Sequence, residues 1–300
     1  MRAVLLCLAT LLCTCVRAQY ANNDVPVYDD VTTAQAAPEA AQQLSLRDQK
    51  LFSLPAGIGE LESLVFLNLM GNNLTRWSPA LNNLKRLETL NLQGNGLHYL
   101  PAEIAELVAL KSLNVSENEL QELPAELGQL KALSYLRVSG NSLTKLPVAL
   151  TNLHDLTAIE ARSNQISRLP EDMRGLRRIT DIDLGYNQLR ALPDNWSSLR
   201  KLETLNLEFN FLQEVPASFG KMKSLRSLLL TGNELENLPA ELSRLRNLRL
   251  LVLAGNKLVA LPEDLSGLGQ LKTLILTGNP IPEAEQKRIT AALPDCRVVF

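Results

Sequence analysis

The sequence predicts an α/β solenoid with one parallel strand and one short helical return per repeat. A fixed period, a strand signature and a proline-led return predict it. Ten asparagines lie 23 residues apart, at Asn72, Asn95, Asn118, Asn141, Asn164, Asn187, Asn210, Asn233, Asn256 and Asn279, and Gln49 holds the same place one period earlier. Self-similarity at a period of about 20 to 50 residues marks stacked units that cannot bury their apolar faces alone. Such stacks build long curved surfaces, which usually bind rather than catalyse.

Around each asparagine the pattern is L-x-x-L-x-L-x-x-N-x-L, as in Leu87, Leu90, Leu92, Asn95, Leu97 and in Leu225, Leu228, Leu230, Asn233, Leu235. The L-x-L core has period two, which is a short strand with one face buried. Strands recurring with a crossover between them must pair in parallel. About eleven strands are therefore expected on one sheet, with a further short strand near Val298. The second half of most repeats reads L-P-x-x-L-x-x-L, as in Leu123, Pro124, Leu127, Leu130 and in Leu238, Pro239, Leu242, Leu245. Proline pre-sets a helical φ and lacks an N–H, so it suits the first helical position. Leucines three apart then share one face of a short helix or 3₁₀ segment. The repeated asparagine has a structural task. An inward amide carries donors and an acceptor, and so satisfies the backbone groups of the buried turn after each strand.

These residues resemble the leucine-rich-repeat family over Leu44 to Phe300, and the period never slips between Gln49 and Asn279. The 23-residue L-P-x-x-L-x-x-L form is similar to the Ras-group repeats of eukaryotes and their bacterial relatives. Trp77-Ser78 in place of Leu-Pro, Val215-Pro216 and Ala161 are mild departures. The resemblance implies a horseshoe with the sheet on its concave face, and no particular partner.

The ends suggest export. Arg2, the apolar run Ala3 to Val16 and the small residues around Ala18 read as a secretory signal over residues 1–18, too short to span a bilayer comfortably. Residues 19–43 read as a flexible segment leading into an N-terminal cap, in which Asp29 or Asp30 caps a short helix that covers the edge of the strand at Leu44. The repeat domain is 44–300, with a C-terminal cap over 282–300 in which Cys296, Val298 and Phe300 alternate inward. Three of the four cysteines, Cys7, Cys13 and Cys15, lie in the signal, so no internal disulfide is expected in the mature chain. Export without cysteine-rich caps resembles bacterial rather than animal proteins of this family. The expected location is periplasmic, cell-surface or extracellular. Sequons stand at Asn73, Asn114 and Asn195.

Composition narrows the function. Removing the signal leaves 28 basic against 32 acidic side chains, a net charge of −4, which argues against nucleic acid as partner. His98 and His154 read as solvated residues on the return side. No phosphate-binding glycine loop, G-x-S-x-G or H-E-x-x-H is present. No catalytic residue, cofactor or metal is expected, nor a membrane span in the mature chain, nor an appended ligase or kinase domain.

Function is then expected on the concave face. The residue between the two strand leucines runs Ser45, Asn68, Asn91, Asn114, Arg137, Glu160, Asp183, Asn206, Leu229, Val252, Ile275. This column divides into a polar zone, a charged zone and an apolar zone. Tyr135, Arg162, Asp181, Tyr186, Glu208 and Phe209 flank the charged zone, and Leu250 and Ala254 join the apolar one. Aromatics and arginine among charges have the composition of binding hot spots. Against this, strands only about 4.8 Å apart let Arg137 and Glu160 pair with each other. The reading is a non-enzymatic, exported recognition or scaffold protein. Its expected partner is a protein or peptide, basic with an apolar segment. The alternatives are a surface adhesin or host-interaction factor, and a homodimer formed through the same face.

Overall fold

A computed structural model describes Asn22 and residues 24–300. The expected signal, with Cys7, Cys13 and Cys15, lies outside the described residues. A single 13-stranded sheet runs through the molecule in strict chain order, and every pairing is parallel. Eleven strands, from β2 (Gln43–Ser45) to β12 (Thr273–Ile275), are the repeat strands. Each has three residues and pairs with its neighbour's same repeat position, so no register slip interrupts the concave column.

The leucines on the other face of these strands join those of the returns in one continuous core. Leu136, Leu205, Leu228 and Leu251 are buried, as are Leu127, Leu150, Trp196 and Phe219 from the returns. Most returns carry one 3₁₀ segment, such as Ala125–Gln129 or Ala240–Arg244. The prolines sit one residue earlier than expected. Pro124, Pro147 and Pro239 are the N-cap residues with extended backbone, and each carbonyl accepts from the amide three residues on. The return Pro170–Arg178 forms turns but no 3₁₀ segment. Five residues are enough for one tight 3₁₀ turn, the form short helical segments favour.

The asparagine ladder is as the sequence requires. Asn118 donates through Nδ2 to Leu92 O and Val115 O, both at 3.0 Å, and its Oδ1 accepts from Leu97 N at 3.0 Å. One amide thus joins its own turn to the turn of the preceding repeat. The pattern recurs from Asn72 to Asn279. Gln49 departs from it. Its side chain turns outward to donate to Asp29 O, and only its backbone amide reaches Asn72.

Both ends are closed. Asp30 caps α1 (Val31–Gln35) by accepting from the amides of Thr32 and Thr33. This helix does not cover the edge of β2. A two-residue strand, β1 (Val27–Tyr28), pairs with that edge instead, and Gln43 Nε2 holds it by donating to Asn22 O and Val25 O. The helix buries Val31 and Ala34 against the end of the core, and Gln35 donates to Glu60. At the other end α2 (Glu283–Ala292) buries Ile289 and ties back through Arg288, which pairs with Glu285 and donates to Leu261 O and Glu263 O. Strand β13 (Arg297–Val299) pairs with β12. Cys296 and Val298 pack on the core, but Phe300 stays 37% exposed, beyond the end of the strand. Burial pushes the Cys296 thiol pKa up, which disfavours the thiolate.

Candidate binding face

The expected partner-binding residues lie along seven consecutive repeats, on their strands or the turns that leave them. The strands are β6 (Tyr135–Arg137), β7 (Ala158–Glu160), β8 (Asp181–Asp183), β9 (Thr204–Asn206), β10 (Ser227–Leu229) and β11 (Leu250–Val252), with Ile275 on β12.

The polar zone is self-satisfied. Oδ1 of Asn68, Asn91 and Asn114 each accepts from the amide two residues on, at 3.0 to 3.1 Å, and Asn206 does the same at 2.9 Å. Asn114 is buried, so its sequon is inaccessible in the folded chain, whereas Asn73 and Asn195 are exposed.

The charged zone is a connected array. Arg137 Nε donates to Glu160 Oε1 at 3.1 Å, and the Arg137 side chain is only 7% exposed. Arg162 Nη1 lies 3.7 Å from Glu208 Oε2, two repeats away. It crosses Gly185 to get there, and a Cβ on Gly185 would stand 3.0 Å from that nitrogen. The Arg162 guanidinium also lies over the Tyr186 ring at 4.3 Å, and Tyr186 stacks on Phe209 with centroids 4.3 Å apart. The Phe209 ring in turn lies over Gly232, whose Cβ would meet it at 2.6 Å. Arg162, Tyr186 and Phe209 therefore form one stack, with both aromatics 43% exposed.

Asp183 is the exceptional carboxylate. Its Oδ1 accepts from Gly185 N at 2.9 Å, the bond that Asn68, Asn91, Asn114 and Asn206 make in their repeats. Burial raises its pKa above the ordinary carboxylate value, and Glu160 and Glu208 add to this. The Gly185 amide and Arg162 work against it. A half-buried carboxyl group stands where a neutral amide makes the same bond.

The size of the residue at one shared left-handed position separates the stack from its surroundings. The residue before the ladder asparagine has positive φ in all eleven repeats, from Asp48 to Gly278. Glycine fills six of these positions, at 71, 94, 140, 232, 255 and 278. Tyr186 at φ 56° and Phe209 at φ 52° are the bulky exceptions. The left-handed conformation costs an L-residue about 1–2 kcal/mol. The glycines before the ladder asparagines mark this position in the sequence, and Tyr186 and Phe209 stand out there as bulky replacements.

The apolar zone is less open than the alternation suggests. Leu229 is 5% and Val252 6% exposed, because neighbouring side chains on the same face cover them. Leu250, Ala254 and Ile275 are half-buried. Tyr135, Glu160, Asp181 and Glu208 are half-buried as well. The reachable part of the face is thus centred on Tyr186, Phe209 and the carboxylates beside them.

Among the described residues no cluster of three or more His, Cys, Asp or Glu side chains could hold a metal, and no helix is long and apolar enough to cross a membrane. His98 pairs with Glu119 at 3.1 Å, and His154 donates through Nδ1 to Gly175 O, so neither histidine belongs to this face.

A family model described as a leucine-rich repeat region matches residues 77–165, and one described as leucine rich repeat matches 177–235 and 223–281. A comparison with curated proteins gave no match. Among solved structures, a leucine-rich-repeat protein of Leptospira interrogans is 24% identical with a TM-score of 0.74, over 92% of this chain and all of the other. An internalin of Listeria monocytogenes is 23% identical with a TM-score of 0.72, over 89% of this chain and 82% of its own. The leucine-rich-repeat chain FLRT2, in an octameric complex with Latrophilin 3 and Unc5D, is 24% identical with a TM-score of 0.75, over 87% and 84%. At these identities the likeness is one of fold.

Proposed function

Because this chain belongs to the leucine-rich-repeat family, we propose that it is a non-enzymatic scaffold that binds a protein partner on its concave face. The carrying observation is the Tyr186–Phe209 pair, two exposed, stacked aromatics held in a left-handed backbone that glycine fills in six other repeats. Strain of this kind persists where the surroundings over-determine it, and it clusters at binding sites. Large rigid aromatics are the usual anchors of interfaces. The FLRT2 assembly supports the same use of the fold, since its repeat chain sits in a complex with other proteins.

The carboxylates Glu160, Asp181, Asp183 and Glu208 outnumber Arg137 and Arg162 around this pair, so the complementary partner segment is basic. An apolar residue beside it would rest on Leu250, Ala254 and Ile275. Residues 1–18 direct the chain out of the cytoplasm, residues 19–43 hold the N-terminal cap, and 44–300 is the working domain.

Display of basic, apolar-flanked peptides to the mature chain tests this reading. Asp183→Lys with Glu208→Lys is expected to slow association and to change its salt dependence. Tyr186→Gly with Phe209→Gly is expected mainly to speed dissociation, weakening binding by at least tenfold. Peptides that bind the wild type and both folded variants equally would overturn the assignment.

A further inference from the structure

The return side holds a second candidate site, far from the aromatic stack in character. A cavity of about 670 Å³ is lined by Arg174, Asn195, Ser197, Ser198, Arg200, Lys221 and Lys223. Four cations and three neutral polar side chains meet there without one carboxylate, in a chain with more acidic than basic residues. The lining comes from three successive returns. The first of these, Pro170–Arg178, has no 3₁₀ segment, and the next two bury Trp196 and Phe219 where most others bury leucine or isoleucine.

Cations on this side of the solenoid have an ordinary structural use, and some of them have it here. Lys85, Lys131, His154, Arg177, Arg200, Lys223 and Arg246 occupy one repeat position. Lys131 donates to Asn152 O, His154 to Gly175 O and Lys223 to Arg244 O, each closing the next return. That is the favourable place for a cation, at the carbonyl end of a helical turn. Among the described residues Arg200, like Arg177 and Arg246, makes no such bond, and neither Arg200 nor Lys221 has an ion-pair partner. Arg174 is half neutralised, through its bidentate pair with Asp172. The Ser198 hydroxyl is buried at this wall without a hydrogen-bond partner. A buried polar group left unsatisfied costs about 1–3 kcal/mol, and an acceptor beside it removes that cost.

We propose that this cavity binds a ligand carrying two or more oxyanion esters, phosphate or sulfate. Every lining side chain offers a donor, and oxyanions are acceptors only. Arg200 supplies a planar fork for two ester oxygens, Lys221 a point charge, and Ser198 and Asn195 neutral donors. The volume exceeds that of one inorganic ion and accommodates a doubly substituted small molecule. The site is independent of the concave face, so the loss of one leaves the other intact.

Titration calorimetry of the mature chain at about 0.15 M salt, with inorganic pyrophosphate and with a fully sulfated heparin disaccharide as probes, tests the proposal. At least one probe is expected to bind, and which one binds distinguishes phosphate from sulfate as the source. Arg200→Glu with Lys221→Glu should weaken it tenfold or more, with unchanged circular dichroism and melting temperature. Arg246→Glu, in the same repeat position but outside the cavity, should leave it within twofold. No binding of either probe overturns the proposal. So does equal loss in Arg246→Glu, which would show a diffuse basic surface, or full binding by the folded double variant.

Discussion

The zone from Asn68 to Asn114 and the zone from Arg137 to Glu208 share one backbone and one register, yet they close their polar groups differently. In the first, a neutral amide accepts from the amide two residues on, and nothing is left over. In the second, Asp183 makes the same bond with a charge that burial penalises, and Arg162 reaches across Gly185 to Glu208. Asn206, one repeat later, returns to the neutral solution. A neutral amide makes that hydrogen bond as well as the carboxylate does, and Leu229, Val252 and Ile275 occupy the same position without it, so the fold has no need of the charge. At the left-handed position the first zone has Gly71, Gly94 and the flexible Glu117, whereas the second holds the bulky Tyr186 and Phe209 beside Gly140 and Ser163. What distinguishes the second zone is surplus to folding, and so is open to selection for binding.

The largest expected effect lies in what the two zones share. Leu136→Ala and Leu205→Ala remove fully buried side chains and should each cost about 2–5 kcal/mol in denaturant unfolding. A smaller cost is expected at the ladder. Asn118→Ala leaves Leu92 O, Val115 O and Leu97 N without their partner, a loss of about 1–3 kcal/mol. Equal losses at Asn118 and at the surface of the charged zone would break the distinction between them.

Tyr186→Gly should matter much less to stability. It relieves about 1–2 kcal/mol of left-handed strain and forfeits about 0.5–1.5 kcal/mol of aromatic stacking. These nearly cancel, so unfolding should stay within about 1 kcal/mol of the wild type while partner binding falls.

Asp183→Asn sharpens the comparison through pH. The carboxyl pKa is raised by burial, with Glu160 and Glu208 adding to it, and Arg162 and the Gly185 amide oppose the shift. The folded state therefore holds this proton more tightly than the unfolded one. Its contribution to stability is present below the unfolded carboxylate value and is lost as pH rises through the folded pKa. Asparagine keeps the acceptor for Gly185 N and carries no charge. The variant should match or exceed the wild type near neutrality, and its advantage should vanish in acid. A wild type more stable than the variant near pH 7 would contradict the burial argument.

The sequence made the repeat, the strands and the ladder legible, because leucine spacing and one amide per period are local signals repeated along the chain, while at the ends it foresaw a helix after Asp30 but not what covers the strand edge. It did not reveal β1, since Val27 and Tyr28 lie in a polar stretch and owe their pairing to the Gln43 side chain. It placed the concave residues in the right column but not their exposure. Leu229, Val252 and Arg137 are covered by neighbours from adjacent repeats, which no single-repeat pattern contains. The cavity at Arg200 was invisible for the same reason, since three returns contribute to it.

The most direct test is equilibrium unfolding of the triple variant Tyr186→Gly, Phe209→Gly, Asp183→Asn at neutral pH. The variant is expected to show the same denaturant dependence as the wild type and a stability within about 1–2 kcal/mol of it, since strain relief and lost stacking offset each other. A loss of more than about 3 kcal/mol, comparable with removing a core leucine, would mean that the aromatic and charged groups hold the solenoid together, and would contradict their assignment to binding.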